Sequence, residues 1–220
     1  MCGRYALHAN PEVVALLFGL SEVPACAPRY NIAPASRVLI IRKNEAAMVP
    51  AIVRWGLVPR WARDPSIGAK MNNARAETVA EKPSFREAYR KRRCLIPANG
   101  FYEWKPEGGR KQPYYIYPSN GELFAFAGLW EAWSGPTGPL ETCAIITTEA
   151  NEKMSAVHDR MPVILAPRDY SKWLAGGECG QYGQGLLRPC AADVIGIRRV
   201  SRAFNSASND VPGLIEPDDS

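Results

Sequence analysis

The sequence has little of what a metal site needs. It contains two histidines, His8 and His158, and no two of its six cysteines form a C-x-x-C pair. Because zinc sites draw on closely spaced Cys and His ligands, we expect neither a metal nor a cofactor.

Membrane and export signals are also missing. The longest N-terminal apolar run, residues 13–20, is far shorter than the roughly 20 residues that cross a bilayer, and no convincing cleavage site follows it. We therefore expect no signal peptide, no membrane association and a cytoplasmic protein whose scattered cysteines stay reduced.

The charge is only mildly one-sided. Lys and Arg number 27 against 22 Asp and Glu, a net charge of +5, which is compatible with nucleic acid without proving it. The 46% hydrophobic and 22% charged residues are ordinary globular composition. We expect one domain over residues 1–220, with a tail from about Asp210 loosely held. No heptad pattern is present, so we expect a monomer.

Few helices are predicted. They begin at Asn10, Ser84 and Tyr170, and the third should cover residues 170–174 and stop at the glycines 176–177. The first helix should bury one apolar face, made of Val13, Leu16, Leu17 and Leu20.

Short apolar runs rich in β-branched and aromatic residues predict most of the fold. They cover residues 38–41, 48–57, 94–104, 114–117, 123–133, 143–148, 163–165 and 194–200. Close spacing and intervening turn residues favour antiparallel meanders that curl into a barrel. The sequence predicts an α+β fold, a curved antiparallel sheet or barrel with peripheral helices.

Cys2 is the first candidate reactive residue. Removal of Met1 would leave a free amine and a thiol on adjacent carbons, and an α-amino group titrates near pH 8. Such a 1,2-aminothiol condenses with an aldehyde to a Schiff base and then closes a thiazolidine ring. The alternative is a cysteine that merely packs against the body of the protein.

His158 and Glu103 are candidate proton-transfer groups. His158 precedes an apolar strand and can titrate near neutral pH, unless a backbone group simply satisfies it. Glu103 lies within an aromatic run, where loss of solvation would raise its pKa; the alternative is a charge on the solvent face of an edge strand.

The polar segment 71–78 offers further candidates. Asn73 could orient a reacting group and Arg75 could hold an anion, although Asn also favours ordinary turns and caps. Arg4, Arg75 and Arg160 each lie within four residues of a candidate catalytic group. An anionic substrate such as a phosphate backbone would require this repeated arrangement.

Together these stretches resemble the SRAP family of abasic-site processing proteins, its bacterial members most closely. The resemblance runs in order from Cys2 to about Pro217, and only the segment 176–189 matches nothing. Its motifs are MCGRY (1–5), RYNIAP (29–34), WGLVPRW (55–61), NARAET (73–78), RCLIPANGFYEW (93–104), IITT (145–148) and HDRMPVIL (158–165).

The resemblance implies binding of single-stranded DNA and covalent capture of an abasic site as a thiazolidine that shields it from strand cleavage. It implies Cys2 as the nucleophile and Asn73 as the residue that orients its amine. Glu103 would be the general acid/base, and His158 would protonate the sugar oxygen during ring opening. A nucleoid-associated location is expected for such a protein.

The resemblance also implies a DNA interface. Arg4, Arg75 and Arg160 would hold phosphates, and Asn31 and Thr147 would add hydrogen bonds. A base would pack on Trp61 or Pro59.

Two other functions use the same residues. An N-terminal-nucleophile cysteine peptidase would use Cys2, Asn73 and Glu103 on a peptide bond, but it leaves the neighbouring arginines unexplained. A non-catalytic nucleic-acid-binding module explains the charge and leaves Cys2 without a role. The family is also associated with autoproteolytic release of Met1 by Cys2; an aminopeptidase would give the same product.

Overall fold

Two curved β-sheets form the framework of the protein, whose computed structural model describes residues 2–45, 47–136, 138–175 and 183–218. The strands are β1 Arg4–Leu7, β2 Arg29–Ile32, β3 Arg37–Lys43, β4 Met48–Trp55, β5 Asn73–Arg75, β6 Arg93–Ala98, β7 Gly100–Glu107, β8 Arg110–Pro118, β9 Phe124–Gly135, β10 Gly138–Glu149, β11 Arg160–Pro162, β12 Ile164–Leu165 and β13 Ile195–Arg199. The α-helices of the same residues are α1 Pro11–Phe18, α2 Arg86–Lys91, α3 Glu152–Ser155 and α4 Tyr170–Leu174. The predicted α+β fold is confirmed.

One sheet closes into a barrel. Its strands follow the order β10-β4-β3-β6-β9, and β9 pairs back onto β10. The pairs are antiparallel except for β4 and β10, which run parallel. Because successive side chains of a strand point to opposite faces, one set fills the interior and the other packs against the helices. Interior side chains include Ile40, Val53, Ile96, Phe126 and Ile145.

The second sheet lies against one end of the barrel. Its order is β13-β8-β7-β1-β2, with antiparallel pairs throughout. The ring of Tyr5, in β1, packs edge-on against Trp55 at 5.3 Å and Phe126 at 6.1 Å between ring centroids. This aromatic contact ties the N-terminal strand to the barrel.

The run predicted as one strand over 94–104 is two strands that belong to different sheets. Between them, Asn99 donates its N–H to the Ala6 carbonyl at 2.8 Å and accepts from the N–H groups of His8 and Ala9 at 2.7 and 2.9 Å. A Cβ on Gly100 would lie 2.5 Å from the carbonyl oxygen of Ile116 on β8. Only glycine fits where the chain crosses between the sheets.

The predicted buried face of the first helix is wrong for Val13, Leu16 and Leu17, which are exposed, whereas Leu20 is buried just beyond the helix. Val14 and Phe18 of α1 are 1% and 2% exposed, whereas Leu16 is 82% exposed. The Phe18 ring stacks on Tyr170 at 5.3 Å, and Gly19 ends the helix in the left-handed conformation with φ 63°. Helix α1 has only two turns, and its apolar residues fit a 3.6-residue period with either of two faces buried. The stacking of Phe18 on Tyr170 selects the face that contains Val14 and Phe18.

Of the other predicted helices, one is confirmed in its bounds and one begins late. Helix α4 has the predicted bounds, and the glycines 176–177 lie outside the described residues. Helix α2 begins at Arg86 rather than Ser84, and no side chain caps it.

The prediction of a loose tail is wrong for residues 210–218, the part of the tail that the structure describes. The Asp210 carboxylate accepts the N–H groups of Tyr30 at 2.5 Å and Asn31 at 2.9 Å and pairs with Arg29. Leu214 is 2% exposed. Residues 201–210, called here the C-terminal strap, therefore belong to the packed structure.

The rotation of α1 can be tested by two truncations. Phe18→Ala should cost about 3–5 kcal/mol of unfolding free energy because it empties a buried site, whereas Leu16→Ala should stay within about 0.5 kcal/mol. Denaturant unfolding of both variants measures this. A larger loss for Leu16→Ala would restore the face that the sequence predicts.

Candidate functional site

Cys2 lies just ahead of β1, at the edge of β7. The register Arg4–Tyr102 between these strands brings the chain before Arg4 alongside Glu103. Cys2 is fully buried, and its Sγ lies 3.8 Å from the Arg4 carbonyl oxygen. Burial raises the pKa of the Cys2 thiol, and the Glu103 carboxylate adds to the rise. The thiol is therefore neutral near pH 7.

Asn73 holds the Cys2 backbone from the opposite side. It begins β5, which runs parallel to β10 with Asn73 opposite Ile145. The indole N–H of Trp55 donates to the Asn72 carbonyl at 2.8 Å and fixes this turn. The Asn73 Nδ2 donates to the Cys2 carbonyl at 2.7 Å. Its Oδ1 is buried with no hydrogen-bond partner in the described residues, so it is an open acceptor beside Cys2.

Glu103 is a buried carboxyl group. Its side chain comes from β7 of the second sheet and is 3% exposed. The prediction that loss of solvation raises its pKa agrees with this burial, which raises the pKa of Glu103 to about 7. Near neutral pH the group is partly protonated and can both give and take a proton.

His158 faces Glu103 from the loop between α3 and β11. Its Nε2 lies 3.8 Å from the Glu103 Oε2. Its Nδ1 accepts the backbone N–H of Arg160 at 2.9 Å and also lies 2.9 Å from the Asp159 carboxylate. The Arg160 N–H favours a neutral ring with its proton on Nε2, toward Glu103, and the Asp159 carboxylate favours the charged ring that carries a proton on both nitrogens. Partial burial lowers the pKa of His158, against the opposing effect of Asp159.

Of the predicted phosphate ligands, Arg4 is held by a buried residue. Its Nη1 donates to the Asn31 Oδ1 at 2.7 Å, and its guanidinium lies 5.7 Å from the Phe204 ring centroid. Asn31 is 1% exposed, and its Nδ2 contacts three carbonyl oxygens of the strap, those of Phe204, Ser206 and Asn209. Asn31 thus orients Arg4 and presents no side-chain atom to solvent.

The two other predicted arginines differ from each other. Arg75 is exposed. The Arg160 guanidinium makes two hydrogen bonds to the Glu77 carboxylate, at 2.6 and 3.1 Å, and donates to the Thr147 carbonyl at 2.8 Å. The Thr147 side chain is fully buried.

The two predicted base-stacking residues differ in their exposure to solvent. Trp61 is 58% exposed and donates its indole N–H to the Pro83 carbonyl at 3.3 Å, so its ring is fixed and offers a flat surface. Pro59 is buried. Trp61 is therefore the residue of this pair that a base could reach.

Residues 1–207 match the SOS response associated peptidase (SRAP) family. The chain belongs to this family. It is 45% identical to the abasic site processing protein YoqW of Bacillus subtilis over 98% of this chain and 99% of that protein. The abasic site processing protein YoaM of the same organism is 43% identical, with 98% of each chain covered. A solved structure of a Bacteroides thetaiotaomicron protein matches with a TM-score of 0.89 and 30% identity, covering 99% of this chain and 100% of that one.

Three structural residues of this SRAP chain were not predicted from the sequence. Trp55 fixes the Asn73 turn, Glu77 binds Arg160, and Asp210 anchors the strap to β2. Trp55 and Glu77 lie inside motifs of the family resemblance. The motifs point to these two segments, but they do not reveal which side chains form the contacts. Asp210 lies in the tail that was expected to be loose.

The described residues of the SRAP chain show no metal-binding cluster. They contain no group of three or more His, Cys, Asp or Glu side chains placed to hold an ion. Within the same residues no helix is long and apolar enough to cross a membrane. Cys2, Cys26, Cys94, Cys143 and Cys190 are unpaired thiols.

The raised pKa of Glu103 predicts a pH-dependent stability difference. Because the pKa of Glu103 in the folded protein, about 7, lies above its ordinary value of 4.5, the wild type loses stability relative to Glu103→Gln as the pH rises through this window. Between pH 4.5 and 7 the unfolding free energy of Glu103→Gln relative to the wild type should rise by on the order of 3 kcal/mol, and above pH 7 the difference should stay constant. Urea unfolding from pH 4 to 9 measures it, and a pH-independent difference would contradict the shift.

Proposed function

We propose that this SRAP protein binds abasic sites in single-stranded DNA and links each one covalently to Cys2 as a thiazolidine. The convergence of Cys2, Asn73, Glu103 and His158 carries the proposal, because the four residues come from separate segments of the chain. The names of its relatives as abasic site processing proteins support it.

The reaction balances without an oxidant or a reductant. Once Met1 has been removed, the Cys2 amine adds to the aldehyde carbon of the ring-opened sugar, and loss of one water leaves a C=N bond. The thiol sulfur then adds to this carbon, and the thiol proton ends on nitrogen. The former aldehyde carbon lies in a five-membered ring and can no longer drive strand cleavage by elimination.

The proposed roles follow from the geometry of the site. The open Asn73 Oδ1 would accept a hydrogen bond from the new amine. Glu103, with a pKa of about 7, would take a proton from the amine or thiol and return it to the leaving water. His158, with its proton on Nε2, would protonate the sugar oxygen as the ring opens.

The raised pKa of Cys2 favours this chemistry over peptidase chemistry. Cysteine peptidases activate their nucleophile by lowering the thiol pKa so that a thiolate attacks first. Burial raises the pKa here. A neutral thiol suits a reaction in which the amine attacks first and the sulfur second. Met1 could leave through Cys2 itself or through an aminopeptidase, and either route supplies the amine.

The DNA interface would combine charge with stacking. We assign phosphate contacts to Arg4 and Arg75, with Arg160 as a third, and base stacking to Trp61. Asn31 and Thr147 would act indirectly, Asn31 through Arg4 and Thr147 through its carbonyl contact to Arg160. Such contacts do not distinguish one base sequence from another. They need a single copy of the protein, so we propose that it binds DNA as a monomer.

The crosslink should need both the amine and the thiol of Cys2. Incubation with a single strand that carries one abasic site should give a denaturant-stable adduct whose mass is the sum of both partners less one water. Cys2→Ser and Cys2→Ala should give at most a Schiff base that borohydride traps. Cys26→Ser, which removes an exposed thiol, should react as the wild type does. A strand with a tetrahydrofuran site has no aldehyde and should not react, and a heat-stable adduct of Cys2→Ala without reductant would rule out the thiazolidine.

Glu103 and His158 should control rate rather than affinity. Glu103→Gln should slow adduct formation or its reversal by about 10²–10⁴-fold, with single-strand affinity nearly unchanged. Below about pH 7 both the Cys2 amine and Glu103 become protonated, so the wild-type rate should fall steeply. The variant should keep only the shallower fall that protonation of the amine causes. His158→Ala should slow ring opening and the release of preformed adduct to excess abasic DNA. Glu107→Gln, on the same strand, is the matched control; wild-type rates for both site variants from pH 5 to 9 would make these residues structural.

A further inference from the structure

The Arg160 guanidinium is already engaged by the protein. Its Nη1 and Nη2 bind the two Glu77 carboxylate oxygens at 2.6 and 3.1 Å, and Nη2 also donates to the Thr147 carbonyl. Its Nε is buried. A DNA phosphate would seek the same pair of parallel donors, because carboxylate and phosphate both fit the guanidinium fork. The two anions therefore compete for one site.

The Arg160 and Glu77 side chains of this ion pair differ in conformational freedom. The Arg160 side chain is 16% exposed, and its backbone N–H is bound to His158. Glu77 lies in the turn after β5 and its side chain is 51% exposed, so it can rotate into solvent while Arg160 stays in β11. Arg160 and Arg75 both lower the pKa of Glu77, which keeps the carboxylate ionised near neutral pH. An arriving phosphate would displace Glu77 and leave Arg160 in place.

We propose that Glu77 is a built-in competitor of the DNA backbone, which occupies Arg160 until a phosphate displaces it and so limits the affinity for undamaged single strands. The inference rests on the proposed function, since it assigns Arg160 to a phosphate. Loss of the competitor leaves one more uncompensated positive charge beside His158. Binding should then become both tighter and more dependent on salt.

The test compares two charge-matched variants with an undamaged oligonucleotide. Glu77→Gln should tighten binding about three- to tenfold at low salt, because no ion pair has to be broken and no carboxylate faces the phosphate. Its log–log salt slope should steepen by about 0.7, the contribution of one phosphate on a single strand. Glu81→Gln removes an equal charge from an exposed position on the same segment and should change both quantities much less.

An Arg160→Ala background separates competition from general charge. In that background Glu77→Gln should tighten DNA binding no more than Glu81→Gln does, because the guanidinium for which carboxylate and phosphate compete is gone. The inference is overturned if Glu77→Gln matches Glu81→Gln in the wild-type background. It is also overturned if Glu77→Gln weakens binding, which would make Glu77 a support for Arg160.

The crosslinking assay keeps this result apart from the proposed function. A Glu77→Gln gain in affinity without any abasic adduct would uphold the inference and refute the crosslinking enzyme. An abasic adduct of normal yield without any gain in affinity would support the crosslinking enzyme and refute the inference about Glu77.

Discussion

The antiparallel pairing of β1 with β7 is the contact on which the candidate site depends. It sets Arg4 opposite Tyr102, so the residues that precede β1 run beside Glu103. A slip of one residue would turn every side chain of β1 to the other face. The hydrogen bonds of Asn99 to the end of β1 oppose such a slip, and the Tyr5 ring fixes the strand against the barrel. The position of Cys2 is therefore a property of the sheet, although the residue itself lies outside any strand.

Burial then gives Cys2 and Glu103 complementary properties. The same loss of solvation raises both pKa values, which leaves a neutral thiol beside a carboxyl group that titrates near pH 7. The Glu103 carboxylate opposes formation of a thiolate, and the opposing effect of the N-terminal amine is smaller than the effect of burial. His158 completes the set, because the backbone N–H of Arg160 favours the neutral tautomer whose proton faces Glu103. This arrangement brings two groups that titrate near neutral pH next to the thiol, as the proposed proton transfers require.

The sequence predicted what depends on local pattern and missed what depends on distant contacts. The long apolar strands and helix α4 follow from periodicity and turn residues. Strands β1, β2 and β5 are short and partly polar. The longer strands β7 and β10 pair with β1 and β5, whereas β2 pairs with β1 and is bound by Asp210 from near the end of the chain. The rotation of α1 depends on the ring of Tyr170, far along the chain, which no local pattern reveals. The candidate residues came from chemistry and family resemblance; their hydrogen bonds and the Glu77–Arg160 pair required the structure.

Arg4, Arg75 and Arg160 look equivalent in the sequence but occupy different environments. Arg75 is exposed, Arg4 is held by Asn31, and Arg160 is held by Glu77. Asn31 is itself bound by the C-terminal strap, so residues near the end of the chain set the direction of an arginine beside the N-terminus. If Arg4 and Arg160 bind phosphates as proposed, their protein partners would limit non-specific attraction to DNA, because a bound guanidinium has fewer donors to offer. Under the proposed function such restraint suits covalent capture, because undamaged strands would dissociate and only an aldehyde would lead to retention.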